Sequence, residues 1–208
     1  EILPALLTPA AAFLKVAEDS GLIGPIDWRM FRLALESGRA LMGEGRFLTL
    51  NVSPRLFSQT DFDQRLLDLV DEIGFDPRAL RLEVTEGTLL GDPENVVAML
   101  ERLRERGVEA ALDDFGTGYS SLGHVHRYPL KMIKIDQSFV APFASGIAPR
   151  SSAVIEAILA VGHALGTEIV AEGVENDAQW NVLRLMGCPY GQGYHFARPA
   201  PLGHWLGQ

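Results

Sequence analysis

Short apolar runs alternate with longer amphipathic stretches over nearly the whole chain, and most of the runs end on a charged or amide side chain. Phe47-Leu48-Thr49-Leu50 predicts a buried strand ending on Asn51, and Leu80-Arg81-Leu82-Glu83-Val84 a second that runs into Thr85-Glu86. Residues 108–112 lead to Asp113, Met132-Ile133-Lys134-Ile135 runs to Asp136, Ile169-Val170-Ala171 ends on Glu172, and a last strand is expected over 190–196. Glu1-Ile2-Leu3 is a possible seventh. Between these runs, helical spacing predicts helices over 10–18, 26–42, 61–73, 95–106, 152–165 and 177–186, several of them closed by glycine. In the second, Trp28, Phe31, Leu33 and Leu35 are candidates for burial.

Strand and helix alternate throughout, which predicts an α/β protein with parallel strands. A doubly wound open sheet and a closed (β/α)8-type barrel both fit. The barrel is favoured because Asn51, Glu83, Asp113, Lys134, Glu172 and Gln192 all fall at or near strand ends, which a barrel gathers at one mouth. An open sheet would spread them along an edge.

Composition narrows the partners. The 208 residues suit one domain over 1–208, and 47% of them are hydrophobic, enough for a sizeable core. A net charge of -9 argues against DNA or RNA duplexes, whose phosphates want a basic face. With one cysteine, Cys188, no intrachain disulfide can form, and a reducing, cytoplasmic setting is expected. No apolar run is long enough to span a bilayer, so no membrane contact by this domain is expected. The chain begins at Glu1 rather than Met, which suggests a piece of a longer protein.

If the strand ends converge, the mouth holds Glu83, Asp113, Asp114 and Glu172 beside the neutral donors Asn51 and Gln192 and one cation, Lys134. Adjacent carboxylates resist desolvation together, so a bound cation is the natural reason to keep both ionised. Hard oxygen donors suit Mg²⁺, Mn²⁺ or Ca²⁺ rather than zinc. Enough carboxylates are present for two ions, and two ions serve in-line displacement at phosphorus. Lys134 could neutralise phosphoryl charge or hold the water, and Glu172 could take its proton. Several residues admit plainer roles. Glu86 is either a loop anchor or a helix cap, Asp136 a cap or a substrate contact, and Gln192 a turn residue or a contact to a flat ligand.

The motifs NVSPRLF from Asn51, LEVTE from Leu82, DDFGTGYSSL from Asp113, KIDQSFV from Lys134, AEGVE from Ala171 and GCPYGQGYHFARP from Gly187 resemble those of EAL domains, in order and over nearly the full length. The resemblance implies a modified TIM-like (β/α)8 barrel that hydrolyses cyclic di-GMP to linear pGpG with two Mg²⁺ or Mn²⁺ ions and is inhibited by Ca²⁺. It implies that Asn51, Glu83 and Asp113 bind one metal, that Asp113 bridges to a second held with Asp114, and that Glu1 is a metal ligand if Glu1-Ile2-Leu3 is the family's Glu-x-Leu element. It further implies that Glu172 acts with the attacking water and Lys134 assists. Asp136, Glu175 and Gln192 would lie near the substrate, and Glu86 would anchor the loop after Asp114 in a way tied to metal binding and dimerisation. A homodimer and an N-terminal sensor or GGDEF-type domain in the parent protein are further expectations.

The start departs from the family pattern. Glu1-Ile2-Leu3 could be the Glu-x-Leu element, yet Pro4 follows, and neither the arginine nor the Trp-x-His-Pro run appears before Pro9. The alternative to an enzyme is therefore a receptor that binds cyclic di-GMP without cutting it. Enolate chemistry with Mg²⁺ carboxylates and a lysine is a distant third.

Overall fold

Six parallel strands, in the order of the chain, form the sheet: β1 (Leu48–Asn51), β2 (Leu80–Thr85), β3 (Glu109–Phe115), β4 (Leu130–Ile135), β5 (Glu168–Ala171) and β6 (Tyr190–Gly191). The computed structural model describes residues 16–17, 19–43, 45–89, 92–116, 125–146 and 148–205. The expected helix over 10–18 lies largely outside the described residues, and the Glu1–Leu3 element wholly outside them. Strictly sequential order without a reversal is barrel topology, since a doubly wound sheet reverses its order at a switch point. The described strands curl into a half-barrel with β1 and β6 at its edges.

The described helices are α1 (Ile23–Gly38), α2 (Pro54–Phe57), α3 (Phe62–Ile73), α4 (Glu86–Leu89), α5 (Pro93–Glu105), α6 (Gln137–Val140), α7 (Pro149–Leu165), α8 (Asp177–Leu185) and α9 (Leu202–Trp205), and the longer ones, α1, α3, α5, α7 and α8, pack on the large core. Their boundaries follow local chemistry. Asp92 caps α5 ahead of Pro93, and the left-handed Gly74 and Gly166 end α3 and α7. In α1, Phe31, Leu35 and Gly38 are buried at helical spacing, whereas Leu33 is exposed, because a residue two places from Phe31 turns to the opposite face. No described helix is long and apolar enough to cross a membrane.

The strands are buried on both sides, with different chemistry on each. Leu80, Leu82, Val84, Leu112, Ile133, Ile135 and Ile169 join the large core beneath the helices. Each such side chain contributes about 1.5–3 kcal/mol by leaving water. The alternate residues face the concave side, where Ala111, Met132 and Val170 form a separate apolar cluster. Charged layers lie on either side of that cluster: Glu83, Asp113, Lys134 and Glu172 toward the C-terminal ends, and Arg81, Glu109 and Glu168 toward the N-terminal ends. The last strand is shorter than the expected 190–196, because at Gly193 the chain turns and its carbonyl accepts the N–H groups of Phe196 and Ala197.

Candidate active site

Register explains why Asp113 and Asp114 can serve one site. Along a regular strand, neighbouring side chains point to opposite faces. Between Leu112↔Ile133 and Phe115↔Ile135, however, β3 spends one residue more than β4, so Asp113 and Asp114 together oppose Lys134. This is a β-bulge, and it re-aims a side chain at the end of pairing. Asp114 has φ 53, the left-handed region that non-glycine residues seldom adopt. Ligand oxygens of Asp113, Asp114 and Glu172 consequently lie within 4.8 Å of one another, a group able to hold a metal ion.

Lys134 stands at the centre. Its Nζ lies 2.6 Å from Glu172 Oε1, 2.9 Å from Glu83 Oε2 and 3.0 Å from Asp113 Oδ1, with the lysine side chain only 4% exposed. Burial opposes its charge, but the hydrogen bond to Glu172 and the charges of Glu83, Asp113 and Glu172 outweigh that, so its pKa is raised. Glu172 is also shifted up. Burial and the neighbouring Asp113 and Glu83 prevail there over the Lys134 hydrogen bond and charge. Asp114 is raised as well, by burial first and then by Asp113 and Asp136, against the pull of Lys134. One ammonium thus cannot offset the carboxylates around it.

The donors fit a hard cation. Asp113 Oδ1 is buried and, although within ion-pair distance of Lys134, has no partner in hydrogen-bond geometry among the described residues. An orphaned carboxylate oxygen beside two other carboxylates suits Mg²⁺ or Mn²⁺.

The remaining expected residues fall around this cluster. Asn51 is exposed at the end of β1, in register with Glu83. Glu86 is buried, and its Oε1 accepts the N–H of Gly116 at 2.9 Å, where the loop after β3 begins. Residues 117–124 of that loop lie outside the described residues, as does Glu1. Asp136 accepts the N–H of Ser138 at 2.9 Å and caps α6, while its charge also acts on Asp114. Glu175 and Gln192 line a polar cavity of about 300 Å³ with Glu172, Gly173, Gly193 and Tyr194. Gln192 also borders the concave cavity that contains Glu83 and Lys134.

Two buried polar residues carry little signal in the sequence. Arg81 is buried one layer below Glu83, and its only local trace was the alternation in Leu-Arg-Leu-Glu-Val. Gln179 is buried at the start of α8, and its three-residue spacing from Asn176 is that of a capping box.

A curled parallel sheet with a group of carboxylates at its C-terminal mouth able to hold a metal ion defines an α/β protein of the barrel type. Residues 4–199 match the EAL domain family, and the chain belongs to it. It is 38% identical to the cyclic di-GMP phosphodiesterase RocR of Pseudomonas aeruginosa over 200 residues, covering 95% of this chain and 50% of RocR. Its fold is similar to the solved PaMucR phosphodiesterase in complex with c-di-GMP, at TM-score 0.86 and 35% identity over 94% of this chain and 79% of that one. It is also similar to the manganese/cyclic di-GMP complex of Klebsiella pneumoniae BlrP1, at TM-score 0.79 and 29% identity over 92% of this chain and 48% of that one. The chain therefore spans half the length of RocR.

Proposed function

We propose that this domain hydrolyses one phosphodiester bond of cyclic di-GMP to give linear pGpG. The observation that carries this reading is the charge imbalance at the mouth, where one buried lysine faces Glu83, Asp113 and Glu172, with Asp114 alongside. The similarity to phosphodiesterases solved with the same dinucleotide supports it.

In this reading Asn51, Glu83, Asp113 and Asp114, together with Glu1 as the Glu-x-Leu glutamate, would hold two Mg²⁺ or Mn²⁺ ions. Bound there, such ions would supply positive charge at the phosphoryl oxygens and would lower the pKa of the attacking water. Glu172, raised by burial, accepts the proton of that water. Lys134 keeps its proton, fixes the Glu172 carboxylate at 2.6 Å and offsets the negative charge that grows on the phosphoryl group. Glu175 and Gln192, on the wall of the adjoining cavity, contact the substrate or support the groups that do. Asp136 caps the start of α6 and keeps negative charge near Asp114.

Incubation of the purified chain with cyclic di-GMP and Mg²⁺, followed by separation of the nucleotides, is expected to yield pGpG, and EDTA is expected to stop it. No product at any Mg²⁺ or Mn²⁺ concentration would sink the hydrolase reading. Calorimetric binding of the dinucleotide without turnover would instead establish a receptor.

A further inference from the structure

Helix α8 starts with a capping box. Asn176 Oδ1 accepts the Gln179 N–H at 3.1 Å, and Gln179 Oε1 accepts the Asn176 N–H at 3.2 Å. Those two bonds satisfy the helix end. Gln179 Oε1 accepts one more, from the N–H of Glu175 at 2.7 Å, which is shorter than its bond within the cap. That bond leaves the helix and reaches the loop carrying Glu172 and Glu175. The Gln179 side chain is 1% exposed, so water does not readily replace it.

The loop is fixed at three amides. Glu172 N–H donates to the Ile135 carbonyl at 3.0 Å and Val174 N–H to the Gln192 carbonyl at 3.0 Å, both of them backbone contacts. Close approach seals the second contact, because a Cβ on Gly193 would run into the Val174 carbonyl. The Glu175 N–H is the one of the three held by a side chain. A single substitution can therefore release the loop there without altering a strand.

We propose that Gln179 is a positioning residue of the site: through Glu175 N–H it sets the loop over 172–175 so that Glu172 and Glu175 face the reacting centre. This rests on the phosphodiesterase reading above. An effect on groups that act in the transition state lowers kcat and leaves KM nearly unchanged.

The test compares wild type, Gln179→Met, Gln179→Glu and Asn176→Ala in steady-state hydrolysis of cyclic di-GMP at saturating Mg²⁺, with a melting curve for each. Gln179→Met is expected to lose roughly 10–100-fold in kcat with KM within about threefold. Gln179→Glu keeps an acceptor oxygen and is expected to return kcat to within about threefold of wild type. Asn176→Ala removes the other half of the cap but not the Glu175 bond, so it lowers Tm while kcat stays within about twofold. Should the methionine variant fail to fold, Gln179→Asn draws the amide back from Glu175 and takes its place in the comparison. Gln179 is only a cap, and the proposal falls, if wild type is active and either kcat is unchanged in Gln179→Met or Asn176→Ala loses as much. An inactive wild type overturns the hydrolase reading and the positioning role together.

Discussion

Two charged layers lie on either side of Ala111, Met132 and Val170, the upper one around the buried Lys134 and the lower one around the buried Arg81, and they balance differently. In the lower layer Arg81 lies 3.0 Å from Glu168 and 3.5 Å from Glu109, and Lys131 lies 3.3 Å from Glu168, so two cations meet two carboxylates. Arg81 also stacks over the Phe47 ring, 3.7 Å from its centroid. In the upper layer one lysine meets three carboxylates, and Asp114 adds a fourth nearby. In the lower layer the one buried charge, Arg81, meets carboxylates that keep contact with water, a structural solution to the cost of burying charge. An unbalanced layer is stable as ionised groups only when further positive charge arrives. Charge alone would mark both layers as notable, and stoichiometry tells them apart: the upper layer, with its excess of carboxylates, holds the group able to take a metal ion.

The sharpest way to break this contrast is to neutralise one group in each layer. Asp113→Asn is expected to cost at least about 10³-fold in kcat, the scale of losing an electrostatic group at the reacting centre. The metal-free protein should nonetheless melt no lower than wild type, because a crowded carboxylate has been removed. Unchanged turnover would mean that Asp113 is no metal ligand. Arg81→Met is expected to do the reverse. It leaves Glu109 and Glu168 short of a partner and should destabilise by about 1–3 kcal/mol, discounted because both glutamates keep some contact with water. Its kcat should stay near wild type, as urea denaturation and initial rates would show together.

Smaller effects sharpen the upper layer. Glu86→Ala deletes the acceptor for Gly116 N–H and is expected to raise the half-saturating Mg²⁺ concentration by about tenfold. A crystal structure of the variant with the loop after β3 unaltered would count against that coupling. The pH dependence should be smaller still. Asp114 and Glu172 are held above their ordinary range in the folded state, burial first among the causes. A raised carboxyl pKa makes its ionised form a cost, present above the folded pKa and relieved as pH falls through it. The Tm increment from saturating Mg²⁺ should accordingly be larger at pH 8 than at pH 6, since protons compete with the metal for the same oxygens. Calorimetric scans at the two pH values would check it, and an increment that grows toward acid pH would refute it.

Much of the site was legible because its residues announce themselves locally. Glu83, Asp113, Lys134 and Glu172 interrupt apolar runs, where a charge is costly without a purpose, and their position at strand ends is visible from periodicity. For Asp136 the residue type admits a cap or a substrate contact, and in the fold it caps α6, with its charge also acting on Asp114. Arg81 carries no such signal, because an arginine in an alternating strand looks like an ordinary solvent-facing residue until the sheet curls. Leu33, expected to be buried, is exposed for the opposite reason: hydrophobicity alone does not say which face of α1 meets the core.

The amino-acid sequence by itself determined the alternation of strand and helix, the hard-oxygen chemistry, the single lysine among carboxylates and membership of the EAL family, because each is written in residue type and short-range spacing. Only the tertiary structure decided which charges share an environment. The bulge that brings Asp113 and Asp114 together opposite Lys134 is a matter of register between two strands. The raised pKa of Lys134 comes from Glu83, Asp113 and Glu172, brought from three other strands into one buried space. Electrostatic energy depends on distance and dielectric, and neither exists until the sheet has curled and water has been excluded.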